Sequence, residues 1–175
     1  MELVVLLAVL SLGALVVTWS AARLDHLHTR LERMDATLDA ELLRRSIATL
    51  EVATAGLVDP ASSMVLADAA HRARSADARD REEAESSLTE ALVVVFDDPQ
   101  DITPDALPDW GETLVADLAS ACRRVQTARR LYNGTVMVTR NRRRSRFVRV
   151  FHLAGRATMP EPTEFDDRIP AAFQR

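Results

Sequence analysis

The sequence predicts an all-α protein: a single transmembrane helix at the amino terminus, followed by an antiparallel bundle of three to four long helices. Three observations carry that expectation. Residues Leu3–Ala22 form a run of twenty without a charge, which is the length of a membrane-spanning helix. Glycine is scarce and aromatic residues are only 5 % of the chain, while Ala, Leu, Arg, Glu and Asp dominate, a composition that favours helix over sheet. Apolar residues also recur at steps of three and four, first at Leu24, Leu27, Leu31, Met34 and Leu38, then at Leu114, Leu118, Ala121, Val125, Ala128 and Leu131, the stripe of a helix with one buried face. The expected division is 1–22 for the anchor, 23–156 for the bundle and 157–175 for an acidic, proline-containing tail.

The anchor rests on Leu3, Leu6, Leu7, Leu10, Leu12, Leu15, Val16 and Trp19. A rise of about 1.5 Å per residue carries twenty residues across a hydrocarbon core of about 30 Å. A cleaved signal peptide would open with basic residues and have an apolar core of about 7 to 15 residues; here Glu2 precedes a longer run. Retention is therefore expected. Arg23, Arg30 and Arg33 follow the run and no basic side chain precedes it. Basic flanks resist translocation, so the chain is expected to cross the cell's inner membrane once, amino terminus outside and carboxyl terminus cytoplasmic.

Beyond the anchor the first stripe reaches Leu38 and then changes phase, with a second stripe at Leu43, Ile47, Leu50, Thr54 and Leu57. Asp59-Pro60 is expected to end this helix, because proline disfavours a helical residue before it. Residues 61–96 read as one long helix or two with a bend, and the polar stretch Arg72–Glu85 reads as exposed. Three prolines and five acids between Asp97 and Asp109 mark a loop, with Asp109 placed to cap the next helix. That helix is expected to bend, or to meet a neighbour closely, at Asn133-Gly134.

All 22 basic residues are arginine, and the net charge of −4 hides a division. Residues 23–122 hold 21 acids and nine arginines, a balance of −12, whereas 123–156 hold 11 arginines and no acid. Mutual pairing of a basic helix with acidic ones accounts for the first part of the basic segment. The denser part, Arg140, Arg142, Arg143, Arg144, Arg146 and Arg149, precedes Phe147, Val150, Phe151 and Ala154 at helical spacing. Such a segment suits contact with anionic lipid headgroups or closure of the bundle end.

Two motifs carry a resemblance. Asp39-Ala40-Glu41-Leu42-Leu43-Arg44-Arg45 and Ala128-Arg129-Arg130-Leu131-Tyr132-Asn133 resemble the paired motifs of LemA family proteins, with Arg129, Arg130, Tyr132 and Asn133 as the more specific of the two. The tail 147–166 is similar in position to that family's apolar tail. Ser46-Ile47-Ala48-Thr49-Leu50 replaces the segment that usually follows the first motif, so the resemblance is to a divergent branch. It implies a membrane-anchored helical bundle without established catalytic residues.

Other chemistry is poorly supported. His26 and His28 lie two apart, on different sides of a helix, and a closed metal site needs three or four converging ligands. Asp97, Asp98 and Asp101 lack the glycine and closing glutamate of a calcium loop. Arg81-Glu82-Glu83-Ala84-Glu85 reads as surface ion pairs one turn apart, and Cys122, the one cysteine, has no partner for a disulfide. Tyr132 and Asn133 read first as packing residues. No catalytic residue, metal or cofactor is expected. The expectation is a non-enzymatic interaction or scaffold module whose partners are the membrane and a protein of unidentified kind, or a second copy of the chain. The alternatives are a small membrane-associated hydrolase, and binding of anionic lipid or nucleic acid through Arg140–Arg149. Nucleic acid is the less favoured, because such sites interleave stacking aromatics with arginine.

Overall fold

The computed structural model describes residues 1–97, 107–144 and 159–174; inside the first helix the side chains of 8–10, 12, 14, 16, 17 and 20–25 are outside that description. All regular structure among the described residues is helical: α1 (Glu2–Thr54), α2 (Pro60–Ser75), α3 (Arg81–Phe96), α4 (Asp109–Arg143) and a 3-10 turn (Ala171–Phe173). The all-α expectation holds. The chain divides into two compact units, Met1–Asp35 with Leu131–Pro162, and Ala36–Arg130 with Thr163–Arg175.

The second unit contains the main core. Helix α1 contributes Ala48, Val52 and Ala53, α2 Leu66, Ala69 and Ala70, α3 Leu88, Leu92 and Phe96, and α4 Leu118, Ala121 and Cys122. The many alanines let helix axes come close, as small side chains at the contact do in general. Phe173 closes this core against Phe96, with ring centroids 5.0 Å apart and planes tilted by 37°. The carboxyl-terminal residues are thus built into the bundle rather than trailing from it.

Five local expectations are corrected. Helix α1 stops at Thr54, followed by Gly56 at φ 73°, the left-handed conformation that ends many helices and that glycine adopts at little cost. Asp59-Pro60 instead begins α2. The Asp59 carboxylate accepts from the N–H groups of Ala61 (2.9 Å) and Ser62 (3.1 Å), and Pro60 takes the first helical position, where its missing N–H removes no helical bond.

The stripe on α1 does not change phase. Leu38, Leu42, Arg45, Thr49 and Val52 are all buried, at unbroken steps of four, three, four and three. Leu43 and Ile47, of the expected second stripe, are 48 % and 40 % exposed. The shift arose because Arg45 and Thr49 are polar, and a stripe drawn through apolar residues alone must go around them.

The polar stretch 72–85 is not uniformly exposed either. It breaks into two helices where the Asp77 carboxylate accepts from Arg79 N (2.8 Å) and Asp80 N (3.2 Å), a side-chain turn typical of aspartate. On either side of the break Ala73 and Glu85 are buried. Helix α4 opens on the Pro108 carbonyl, which accepts from Gly111 N (2.7 Å) and Glu112 N (3.1 Å), so Asp109 is its first residue and not its cap. It runs unbroken through Asn133-Gly134, and a Cβ on Gly134 would meet nothing within 4 Å. The close approach is at Gly111 instead, where a Cβ would stand 2.8 Å from Leu57 Cδ2.

In the first unit, Leu27, Leu31 and Met34 are half-buried on α1, and Thr135, Val136 and Thr139 are buried on α4. Leu3, Val4, Val5, Leu6, Leu7, Leu15 and Trp19 are 56–70 % exposed. Counted over the described residues alone, no helix is long and apolar enough to cross a membrane. The side chains of Leu10, Leu12 and Val16, on which the expected span partly rests, lie outside the described residues.

Candidate functional site

A fully buried guanidinium organises the second unit. Arg45 occupies a core position of α1 and is 2 % exposed, and a charge so placed must be paired. Its Nη2 donates to Glu85 Oε2 at 2.6 Å and to the Glu85 carbonyl at 3.2 Å, and its Nη1 donates to Thr89 Oγ1 at 3.0 Å. Nε alone finds no hydrogen-bond partner among the described residues. Glu85 and Thr89 lie one turn apart on α3, so a single guanidinium reaches both. Burial pushes the Glu85 carboxyl up from its ordinary range, while the charge and hydrogen bond of Arg45 and the charge of Arg81 pull it back.

The same face of α3 holds the carboxyl-terminal segment. Glu82 Oε1 accepts from Glu164 N (2.9 Å), Ser86 Oγ accepts from Asp166 N (3.0 Å), and the Thr89 hydroxyl donates to the Asp166 carbonyl (2.6 Å). The match is geometric. Residues three and four apart on a helix are about 5–6 Å from each other, and alternate residues of an extended chain are about 6.6 Å apart, so successive turns of α3 meet successive exposed amides.

Between those amides Phe165 turns inward and is 6 % exposed. The Cζ atoms of Arg45 and Arg129 lie 6.0 Å and 5.4 Å from its ring centroid, within reach of cation–π attraction. Arg129 Nε also donates to Asp167 Oδ2 at 2.8 Å, and Gln126 Nε2 donates to the Asp167 carbonyl at 3.3 Å. Arg168 Nε donates to Asp166 Oδ2 at 2.8 Å, and its hydrogen bond holds the Asp166 carboxyl below the usual range.

Beside this clasp a cleft of 240 Å³ is lined by Asp39, Leu42, Arg74, Arg81 and Glu85, among others, with Arg81 paired to Asp39 across it. Glu41 accepts from Arg44 Nη1 (2.7 Å) and Arg124 Nε (3.0 Å). These arginines bind the chain to itself. Cys122 is buried, and burial pushes its thiol up, which keeps it protonated and a weak nucleophile.

Of the residues singled out from the sequence, Arg129 belongs to the clasp and Arg130 is exposed. The Tyr132 hydroxyl donates to the Glu161 carbonyl at 3.2 Å, and Asn133 is half-buried. Arg140 and Arg143 are half-buried and Arg142 and Arg144 exposed at the end of α4, while Arg146 and Arg149 lie outside the described residues. His26 and His28 are both exposed, with His28 Nε2 3.2 Å from Glu32 Oε1. Glu85, assigned to a surface ion pair by its neighbours, proves central; Thr89 carried no signal of its own, and Phe165 stood out only within the Glu164-Phe165-Asp166 that closes the tail 147–166. The missed signal was arithmetic: the spacing from Leu38 lands on Arg45 and Thr49. Compared with known proteins, the chain matches no family model, no curated protein and no solved structure.

Proposed function

We propose that this protein is a membrane-anchored interaction module: the first half of α1 spans the membrane and the bundle of the second unit presents binding surfaces on the cytoplasmic side. One observation carries the reading. The twenty uncharged residues 3–22 are followed in the same helix by a buried stripe from Leu38 to Val52, whereas every large apolar side chain described between Leu3 and Trp19 is at least 56 % exposed. Soluble proteins rarely leave so large a contiguous apolar surface in water. Arg23, Arg30 and Arg33 after the run support the orientation.

Kinship with a divergent branch of the LemA family is part of the same proposal. It is supported by Arg45, which closes the first motif, and Arg129, which opens the more specific second one, because both stand over Phe165. The arginine-rich end of α4 and the residues after it serve as an anionic-lipid contact. A reporter fused after Arg175 tests the topology. Activity of a reporter that works only in the cytoplasm is expected, and activity of one that works only outside it overturns the orientation.

A further inference from the structure

We propose that the groove holding residues 163–167 is a recognition site for an extended segment with phenylalanine followed two residues later by aspartate, and that its exchanging occupant is the tail of a second copy of this chain. The segment is held as a peptide ligand is held. Its main chain is bound by side chains of α3, through Glu82, Ser86 and Thr89, and its side chains enter specific positions, as in other modes of peptide recognition.

The positions are selective. An aliphatic slot would accept any apolar residue, but Phe165 sits against two guanidinium groups, whose attraction needs a ring face. Asp167 meets Arg129, a planar donor suited to carboxylates. The arriving segment, Glu164 to Asp167, is acidic, and the groove supplies arginine.

An empty groove is costly. Loss of the segment would expose Phe165 and leave the Thr89 hydroxyl with the Glu85 carbonyl (3.1 Å) in place of two acceptors, beside a buried Arg45 whose Nε already lacks a partner among the described residues. Whatever replaces the chain's own tail must repeat its chemistry, and the tail of another copy repeats all of it. Exchange of identical segments leaves the contacts unchanged, so its free-energy cost is low. The exchange does not depend on the anchor; anchored copies would only meet more often.

The test uses two full-length versions with different affinity tags, produced together, one with Ser86→Cys and the other with Asp166→Cys, treated with a short bismaleimide. Cys122 is buried and does not compete. A product carrying both tags, lost when Phe165→Ser is added to the Asp166→Cys chain, supports exchange. A chain with both substitutions that crosslinks only to itself, with no two-tag product, overturns it. A two-tag product that survives Phe165→Ser reflects chance collision and also overturns it, as does capture of a different protein by the Ser86→Cys chain in place of the second copy.

Discussion

Arg45 on α1 and Glu85 on α3, forty residues apart in the chain, form a 2.6 Å charged hydrogen bond with neither side chain more than 3 % exposed. Two buried charges that satisfy each other contribute little net stability against an apolar pair of the same shape, but a survivor left alone is costly. Arg45→Met, which strands Glu85, should therefore lower stability by about 3–5 kcal/mol, and the double variant Arg45→Met/Glu85→Leu should recover most of it. Denaturant titration in mild detergent measures both. Single and double variants equally destabilised would show that the loss lies in packing and not in the pair.

The pair also has a pH signature. Burial raises the Glu85 carboxyl above its ordinary 4.5 in the folded chain, so the folded state holds its proton more tightly than the unfolded state. The stabilising contribution of that proton is complete below 4.5 and is lost as pH rises through the folded value. Relative to Glu85→Gln, the wild type should thus lose stability as pH rises across that window. A wild type that gains on the variant over the same range would mean that Arg45 outweighs burial.

Phe165 fastens the carboxyl-terminal segment, so its truncation should release that segment before the bundle melts. Buried phenylalanine cut to alanine costs about 3–5 kcal/mol, which offsets most of what the side-chain hydrogen bonds to residues 164–167 from Glu82, Ser86, Thr89, Gln126 and Arg129 return at about 1 kcal/mol each. Phe165→Ala should become sensitive to limited proteolysis within residues 159–174, while helicity by circular dichroism stays near wild type. Unchanged cleavage would place the hold on the segment elsewhere, at Phe173.

For the arginines from Arg140 to Arg149, each basic side chain near an anionic surface is worth about 1 kcal/mol. A fragment beginning at Arg23 should sediment with liposomes containing anionic lipid and be released by salt. Equal binding to neutral liposomes, or none at low ionic strength, would assign these side chains to the bundle.

What the sequence revealed and what it hid follow from one difference. Composition and the stripe from Leu24 to Leu38 announce helices through the hydrophobic effect, and the all-helical fold was legible from them. The clasp was not, because its core positions on α1 and α3 are filled by the polar residues Arg45, Glu85 and Thr89, whose partners across the fold lie at sequence distances that no periodicity reveals. Arg45 meets Glu85 from forty residues away and Thr89 meets Asp166 from 77. Gly56 set the end of α1 by its backbone conformation, and Pro60, read as a stop, was a start.

Anchoring by the first half of α1 is the central claim, and alkaline carbonate extraction of membranes from cells making the full chain tests it most directly. The chain should remain in the membrane pellet with its amino-terminal residues intact, and Leu7→Arg combined with Leu15→Arg should move it to the supernatant, since each charge at the centre of a span costs about 2.5–3.5 kcal/mol. Recovery of the unaltered chain in the alkaline supernatant, or of a mature chain beginning near Arg23, would contradict the account.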